Sequence, residues 1–405
     1  MGSNINISKT DFLGLGIAPG LIQIIEKLSF KNPTPIQHQA IPPAIEGKDI
    51  IGIAQTGTGK TLAFGIPMIQ RLAQIKGRGL VLLPTRELAI QVEKEFHKIG
   101  RSMGLKTAVL IGGAPMQAQI FALRQNPHII IATPGRLIDH LDQKNINLSD
   151  IKVLVFDEAD RMLDMGFQPQ INRILVTVPK DRQTMLFSAT IPLEIMQIAH
   201  IHMKLPIQIE VAPSGTTVES VTQEIFIVEK TSKLRLLAAL LKERRGSTLV
   251  FTRTRFGAKK ITKAVRGLGE IAAEIHSNRS LAQRRDALEG FRSGRYRVLI
   301  ATDIASRGID VKGIETVINY DLPSKTEDYV HRIGRTGRAG NPGHAISFAE
   351  PSERNEIRSI ERLIRKTIPI SPHPAGFSLE SNARVEFNPP RPVRYPGMNR
   401  RRRRW

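Results

Sequence analysis

A lysine and a threonine close the stretch AQTGTGKT, Ala54 to Thr61, and their spacing from two glycines suits phosphate chemistry. Gly57 and Gly59 allow the backbone to turn so that successive N–H groups face an anion, and a following helix would add its positive N-terminal end. Lys60 could reach the β- and γ-phosphates, and the Thr61 hydroxyl could ligate Mg2+. The stretch departs from G-x-x-x-x-G-K-[ST] at its first position, where Ala54 stands. About a hundred residues on, Asp157, Glu158, Ala159 and Asp160 follow an apolar run. A carboxylate at a strand end can hold Mg2+ through oxygen, and a second can orient and deprotonate an attacking water. The same tetrapeptide could equally cap a helix. Ser188 and Thr190 flank Ala189 after the next run, and capping is open for them too. Farther on, HRIGRTGRAG places Arg335 and Arg338 three apart, on one face of a helical turn. They read either as a solvated basic turn or as arginine fingers aimed at a γ-phosphate.

What must position these residues is a parallel sheet. Apolar, β-branched runs recur at 49–54, 79–84, 128–133, 153–158 and 184–190, and again at 247–252, 296–302, 316–321 and 344–349. Four to six apolar residues without alternation mark strands buried on both faces. Helical patterns between them, such as RELAIQVEKEFHKIG at 86–100, imply βαβ crossovers. The polar residues follow the runs, at the carboxyl ends where open α/β sheets bind ligands. The small, polar stretch 211–220 reads as a flexible linker. The expected architecture is an N-terminal α/β domain over 1–210, the linker 211–220, a C-terminal α/β domain over 221–370 and a disordered basic tail over 371–405.

Composition narrows the class. The 405 residues carry a formal net charge of +22, with nine arginines in 1–210 and twenty-eight beyond, which draws the chain to polyanions. No cysteine is present, excluding disulfides and thiolate metal sites. No apolar run is long enough to span a bilayer, and the first residues do not read as a secretory leader, so a cytoplasmic protein without membrane contact is expected. The tail, proline- and arginine-rich and ending in Arg400 to Arg404 and Trp405, either tethers RNA or is a solvated end.

Taken in order, these stretches resemble the DEAD-box ATP-dependent RNA helicases from about Phe12 to about Ala349. AQTGTGKT is similar to that family's A-x-T-G-x-G-K-T loop, so Ala54 reads as a family variant. Phe30 with PTPIQ (33–37), PTRELA (84–89), Gly112–Gly113, TPGR (133–136), DEAD (157–160) and SAT (188–190) resemble the first domain's motifs. LVFTRT (249–254), ATDIASRGID (301–310) and HRIGRTGR (331–338) resemble the second's. The short core and basic tail are similar to the bacterial RhlE-type branch.

The resemblance implies two tandem RecA-like domains, ATP and Mg2+ as cofactors, and local unwinding or remodelling of short RNA duplexes and RNA–protein complexes by ATP-driven closure on single-stranded RNA. It implies that Ala54, Gln55, Thr56, Gly57, Thr58, Gly59, Lys60 and Thr61 bind nucleotide, that Thr61 and Asp157 hold the metal, and that Glu158 positions water. Gln37 would read the adenine edge, with Phe30 and Phe12 beside it, and Asp310 the ribose. Arg335 and Arg338 would meet the γ-phosphate. Thr85, Arg86, Gly113, Thr133, Arg136 and Thr302 would hold RNA without regard to base, while Asp160, Ser188, Thr190 and His331 would couple the two ligands. Ribosomal or RNA-turnover complexes are the partners such a protein would have. A non-hydrolysing RNA clamp and a DNA-directed translocase are the rival readings. In one place the chain departs from the family: Leu281 stands where its Q-x-x-R pattern has glutamine, with Arg284 in place.

Overall fold

The structure is a computed structural model that describes residues 11–55, 57–211, 221–303, 311, 313–337 and 342–374. Thr56, Asp310, Arg338, most of the linker and Ala375 to Trp405 lie outside the described residues.

Among the described residues the strands form two sheets. The first sheet contains β1 (Ile50–Ile53), β2 (Arg78–Leu82), β3 (Thr107–Leu110), β4 (Ile129–Ala132), β5 (Ile151–Asp157), β6 (Gln183–Ser188) and β7 (Ile207–Glu210). The second contains β8 (Val221–Ile227), β9 (Thr248–Phe251), β10 (Ala272–Ile275), β11 (Val298–Ala301), β12 (Thr316–Asn319) and β13 (Gly343–Ala349). Their orders are β3-β4-β2-β5-β6-β1-β7 and β10-β11-β9-β12-β13-β8. Every pairing is parallel. The two-domain parallel α/β architecture expected from the apolar runs is therefore present.

The runs are continuous because alternate side chains feed different cores. Ile129, Ile131, Val153 and Val155 enter one apolar cluster, while Ile130, Ala132, Leu154 and Phe156 enter a second on the opposite face. Val250 and Leu249 divide the second sheet's faces in the same way. With period-two side chains and helices on both faces, the central strands are buried along nearly their whole length, partly exposed residues such as Arg78 and Lys152 standing at their amino-terminal ends. The expected helix at 86–100 is present as Arg86–Gly100, started by the Thr85 hydroxyl accepting the Leu88 N–H at 3.3 Å.

The tail boundary moves. The segment assigned to the tail from 371 begins with residues that add to the edge of β8: Ser371 N–H donates to Ile225 O at 2.9 Å. The His373 ring packs 6.1 Å from that of Phe226. Composition misses this because one backbone hydrogen bond and one ring contact need no periodic pattern.

Candidate active site

The carboxyl edge of the first sheet is divided by strand order. Ala54, Asp157 and Ser188 end β1, β5 and β6, one half of the sheet. Thr85 and Arg86, Gly113, and Thr133 and Arg136 follow β2, β3 and β4, the other half. The residues expected to hold nucleotide and those expected to hold RNA thus stand side by side on one rigid edge.

The loop between β1 and the helix Lys60–Gln74 is shaped by left-handed glycines, with φ of 89° at Gly57 and 90° at Gly59. A side chain at 59 would also stand 2.3 Å from Gln37 Nε2. That amide donates to Gly59 O at 3.0 Å, and Gln37 Oε1 accepts from Thr34 N–H at 2.9 Å. Gln37 is thereby a strut that fixes the loop. Thr58 Oγ1 bonds back to Gln55 O at 2.7 Å, and Ala54 N–H is anchored on Ser188 O at 2.9 Å. Lys60, buried, donates to Ala54 O at 2.8 Å, parked inside the loop where phosphate oxygens would compete for it. Thr61 is the second residue of the helix and half-buried. Phe30 is 37% exposed, whereas Phe12 is buried in the first domain's core.

Three carboxylates follow β5, each in a different environment. Burial pushes Asp157 up to about 6 against the pull of Lys60, with Glu158 adding to the rise. Glu158 takes a left-handed φ of 54°, a strained backbone for a residue with a Cβ. Its Oε2 meets Arg161 Nη1 at 3.2 Å, while its Oε1 and Arg161 Nη2 are buried with no partner. A buried ion pair with one oxygen and one N–H left over is a site expecting a further polar group. Asp160 faces away, where its Oδ2 accepts the N–H groups of Ala189 (3.2 Å) and Thr190 (2.9 Å) and the Thr190 hydroxyl (2.9 Å). Its own N–H donates to Ser188 Oγ at 3.2 Å. The capping reading of SAT holds across the fold: Ser188 Oγ accepts a first-turn N–H of the helix Ala159–Asp164 and the Thr190 hydroxyl donates to Asp160 of that helix, which ties the end of β6 to the helix after β5.

The second domain meets this cluster directly. A void of about 10 Å3 is lined by Arg161 from the first domain and by His331, Arg332 and Arg335 from the second. Burial pushes the His331 imidazole well below its ordinary pKa, with Arg161 reinforcing and Asp160 opposing, so the ring is neutral at pH 7. Arg335, 3% exposed, donates from Nε to His331 O at 3.2 Å. The sequence reading missed Arg161 and Arg332. Arg161 lies three residues after Glu158, a spacing that predicts contact on a helix. Arg332, fully buried, is gripped by both Asp303 oxygens at 2.5 and 2.7 Å and holds Asn319 at 3.2 Å; nothing in its spacing separates it from the other arginines of its motif.

On the other half of the edge, Gly113 is left-handed with φ of 77°, and a side chain there would stand 2.3 Å from Arg86 Nη1. The Arg86 guanidinium stands close against both glycines, half-buried. Thr133 precedes the helix Pro134–Asp142 with its hydroxyl donating to Leu110 O at 3.5 Å, and Arg136 Nη1 donates to Ala114 O at 3.1 Å. Thr302 ends β11 across the cleft, its N–H on Ile275 O at 3.3 Å.

The place of the missing glutamine is taken by an apolar contact. Leu281 packs on the first domain's core, and beside it Arg284 Nη2 donates to Glu87 Oε2 at 2.7 Å, both side chains under 10% exposed. Gln283 is no substitute, since it closes a capping box with Ser280. Burial pushes the Glu87 carboxyl up against the pull of Arg284, so the pair depends on the domains meeting. Glu87→Ala would leave a buried, unpaired guanidinium in the closed form alone, costing ~3 kcal/mol or more. The RNA concentration for half-maximal ATPase should rise by about a hundredfold, while the unliganded melting temperature moves by no more than a surface substitution would. An unchanged RNA requirement would remove Glu87 from closure.

Comparisons with known proteins agree with this geometry. Residues 34–198 match the DEAD/DEAH box helicase family and residues 232–340 the helicase conserved C-terminal domain. The chain is 42% identical over 374 residues to the ATP-dependent rRNA helicase RRP3 of Debaryomyces hansenii, covering 91% of this chain and 78% of that one. It belongs to the DEAD-box family of ATP-dependent RNA helicases. The DEAD-box ATP-dependent RNA helicase CshA of Bacillus cereus is likewise 42% identical, over 88% of this helicase and 69% of its own length. Among solved structures, S. cerevisiae Dbp5 bound to RNA and ADP BeF3 superposes with a TM-score of 0.81 at 30% identity, over 89% of this chain and 96% of that one. Mss116p bound to ssRNA and AMP-PNP gives 0.82 at 28% identity, over 92% and 82%. A DEAD box protein from Methanococcus jannaschii has higher identity, 37%, over 89% of this chain and 99% of its own, yet a TM-score of 0.52. Poorer overlay at greater sequence likeness is what a different placement of two similar domains produces. This helicase therefore has its two RecA-like domains arranged as in the RNA- and nucleotide-bound relatives.

Proposed function

We propose that the cleft hydrolyses ATP when the two domains close over single-stranded RNA, and that closure locally opens short duplexes. The observation that carries this reading is the divided sheet edge, with Asp160 hydrogen-bonded to Ser188 and Thr190 at the end of β6 and His331 of the other domain against it. Lys60, the loop N–H groups and Gln37's hold on Gly59 would bind and orient the phosphates. Glu158 would orient the water and accept its proton, and Arg335 would meet charge developing on the γ-phosphate. Arg338 and Asp310 are assigned the same arginine-finger and ribose roles as in the sequence reading. Thr85, Arg86, Gly113, Thr133, Arg136 and Thr302 would hold phosphates and sugars, giving RNA selectivity without base preference. Because ATP and RNA each favour the closed form, each strengthens the other's binding.

The residues present fit Mg2+. Among the described residues no group of three or more metal-binding side chains exists, and Mg2+ with a nucleotide needs only one or two protein oxygens. Asp157 supplies a carboxylate whose pKa burial pushes up to about 6, a desolvation cost that a bound cation would offset, and Thr61 would be the second ligand. Bound there, Mg2+ would neutralise charge on the phosphates. Since cation binding needs the carboxylate, falling pH should weaken it once protons compete. The Mg2+ concentration giving half-maximal hydrolysis should rise about tenfold per unit below pH ~6 and stay flat above, and Asp157→Asn should remove that dependence. A constant Mg2+ requirement from about pH 7 to 5 would reject the assignment.

The test of the reading as a whole compares phosphate release with RNA, with DNA of the same sequence and with neither, alongside displacement of a short duplex. Stimulation by RNA alone, with ATP-dependent displacement, is expected. Hydrolysis indifferent to RNA, or equal stimulation by DNA, would overturn it.

A further inference from the structure

The opposite edge of the first sheet holds a cavity that the helicase reaction does not use. It has a volume of about 660 Å3 and lies among the amino-terminal ends of β1, β5, β6 and β7, with the end of the helix Lys60–Gln74 as one wall. Five cationic side chains from five separate segments line it: Lys48, Arg71, Lys152, Arg182 and Lys204. Two carboxylates share the lining, which leaves a net charge of +3 (five minus two). The carboxylates offset part of that charge, Asp49 through its attraction to Arg182 and Lys204, but its hydrogen bonds go elsewhere. Asp49 is spent on backbone, accepting the N–H of Thr184 at 2.7 Å and of Lys204 at 2.6 Å. Asp181 sits at the mouth with its side chain 89% exposed, 3.5 Å from each of Lys152 and Lys204, and such solvated pairs contribute little.

The two arginines are held in place with donors to spare. Arg182 is 9% exposed and donates to Pro179 O and His202 O, yet its Nε has no acceptor. Arg71 lies flat against Gly47, where a Cβ would stand 2.8 Å from its Cζ, and its buried Nε is also without an acceptor. Holding like charges together with unmet donors is unfavourable in the free protein. A multivalent anion relieves the like-charge cost, and guanidinium groups suit phosphate oxygens in particular.

From this we infer that the cavity is a binding site for a compact polyphosphate anion, of the size of a di- or triphosphate group. The volume lies in the range of small-molecule sites. Cations converging on one concavity suit a compact ligand better than a strand, whose evenly spaced phosphates call for a track. The residues assigned to RNA lie at the far ends of the strands, so the two sites are separate.

Inorganic tripolyphosphate titrated calorimetrically into the full chain tests the inference, with Lys60→Ala as the background so that the phosphate loop does not dominate. Arg71→Gln or Lys204→Gln should weaken binding about tenfold or more, and Asp181→Asn should tighten it. Lys204→Gln, on an exposed side chain, keeps the test valid if Arg71→Gln disturbs the fold. Equal binding in all of these chains would assign the anion to other basic segments and overturn the site. Displacement by single-stranded RNA with equal potency per phosphate would overturn the compact-anion reading, and competition by ADP or GDP would identify nucleotides as its source.

Discussion

Glu158→Gln should reduce RNA-stimulated ATP hydrolysis by ~10²–10⁴-fold while ATP still binds within a few-fold of the native affinity. Glutamine keeps the shape that fills the space beside Arg161, so the ion pair becomes a hydrogen bond from the still-charged guanidinium to an amide oxygen. What is lost is the acceptor for a proton. In the native chain that acceptor is prepared: Oε1 is buried without a partner, and the backbone is held at a φ of 54° by the Glu158 N–H donating to Asp157 Oδ1 at 3.0 Å. Backbone strain of this kind costs ~1–3 kcal/mol and persists where surrounding structure enforces it. Single-turnover phosphate release with saturating RNA, beside a nucleotide titration, separates the two effects. Turnover within tenfold of the native enzyme, or loss of ATP binding in proportion to turnover, would assign Glu158 a structural role.

How much of this was legible in the sequence follows from where water can reach. The nine strands expected from unbroken apolar runs are all present. The four that were not expected are β3, β7, β8 and β10, and each is the edge of its sheet. Three of the four bury less, since TAVL and VTQEIFI alternate and IQIE is mostly exposed, while AAEI is buried throughout but its two alanines and a glutamate do not make an apolar, β-branched run. The rule for runs detects burial on both faces, so it finds centres and misses edges.

At the site the same division holds between chain-local and cross-chain information. Loop glycines, Lys60 and the acidic tetrapeptide are adjacent in sequence and were readable as a unit. Gln37 bracing Gly59 and Arg284 meeting Glu87 join residues 22 and 197 positions apart, and Leu281 covers core of the other domain. Only folding shows that these contacts exist, and Leu281 shows that a departure from a motif can be absorbed by a different kind of contact.

The linkage between domains is tested most severely at Arg335. Arg335→Lys should lower the turnover number by ~10³-fold or more, the scale at which arginine fingers act, although the charge is kept. The reason lies in how the side chain is held. Its Nε is committed to His331 O, so the remaining guanidinium N–H groups have a fixed direction, and the side chain has almost no exposure. An ammonium on a flexible stem has neither the planar fork nor that anchor. The effect should fall on catalysis and on nucleotide-dependent RNA affinity together, because both need the closed form, whereas RNA binding without nucleotide should be unaltered. Glu158→Gln, by contrast, should leave nucleotide-dependent RNA affinity intact or raise it, since closure survives and hydrolysis no longer ends it. Measuring RNA affinity with and without a non-hydrolysable ATP analogue in both variants therefore distinguishes a residue that completes the site from one that acts within it. If Arg335→Lys kept its turnover, or if the two variants behaved alike, the second domain would not be completing the site on the first.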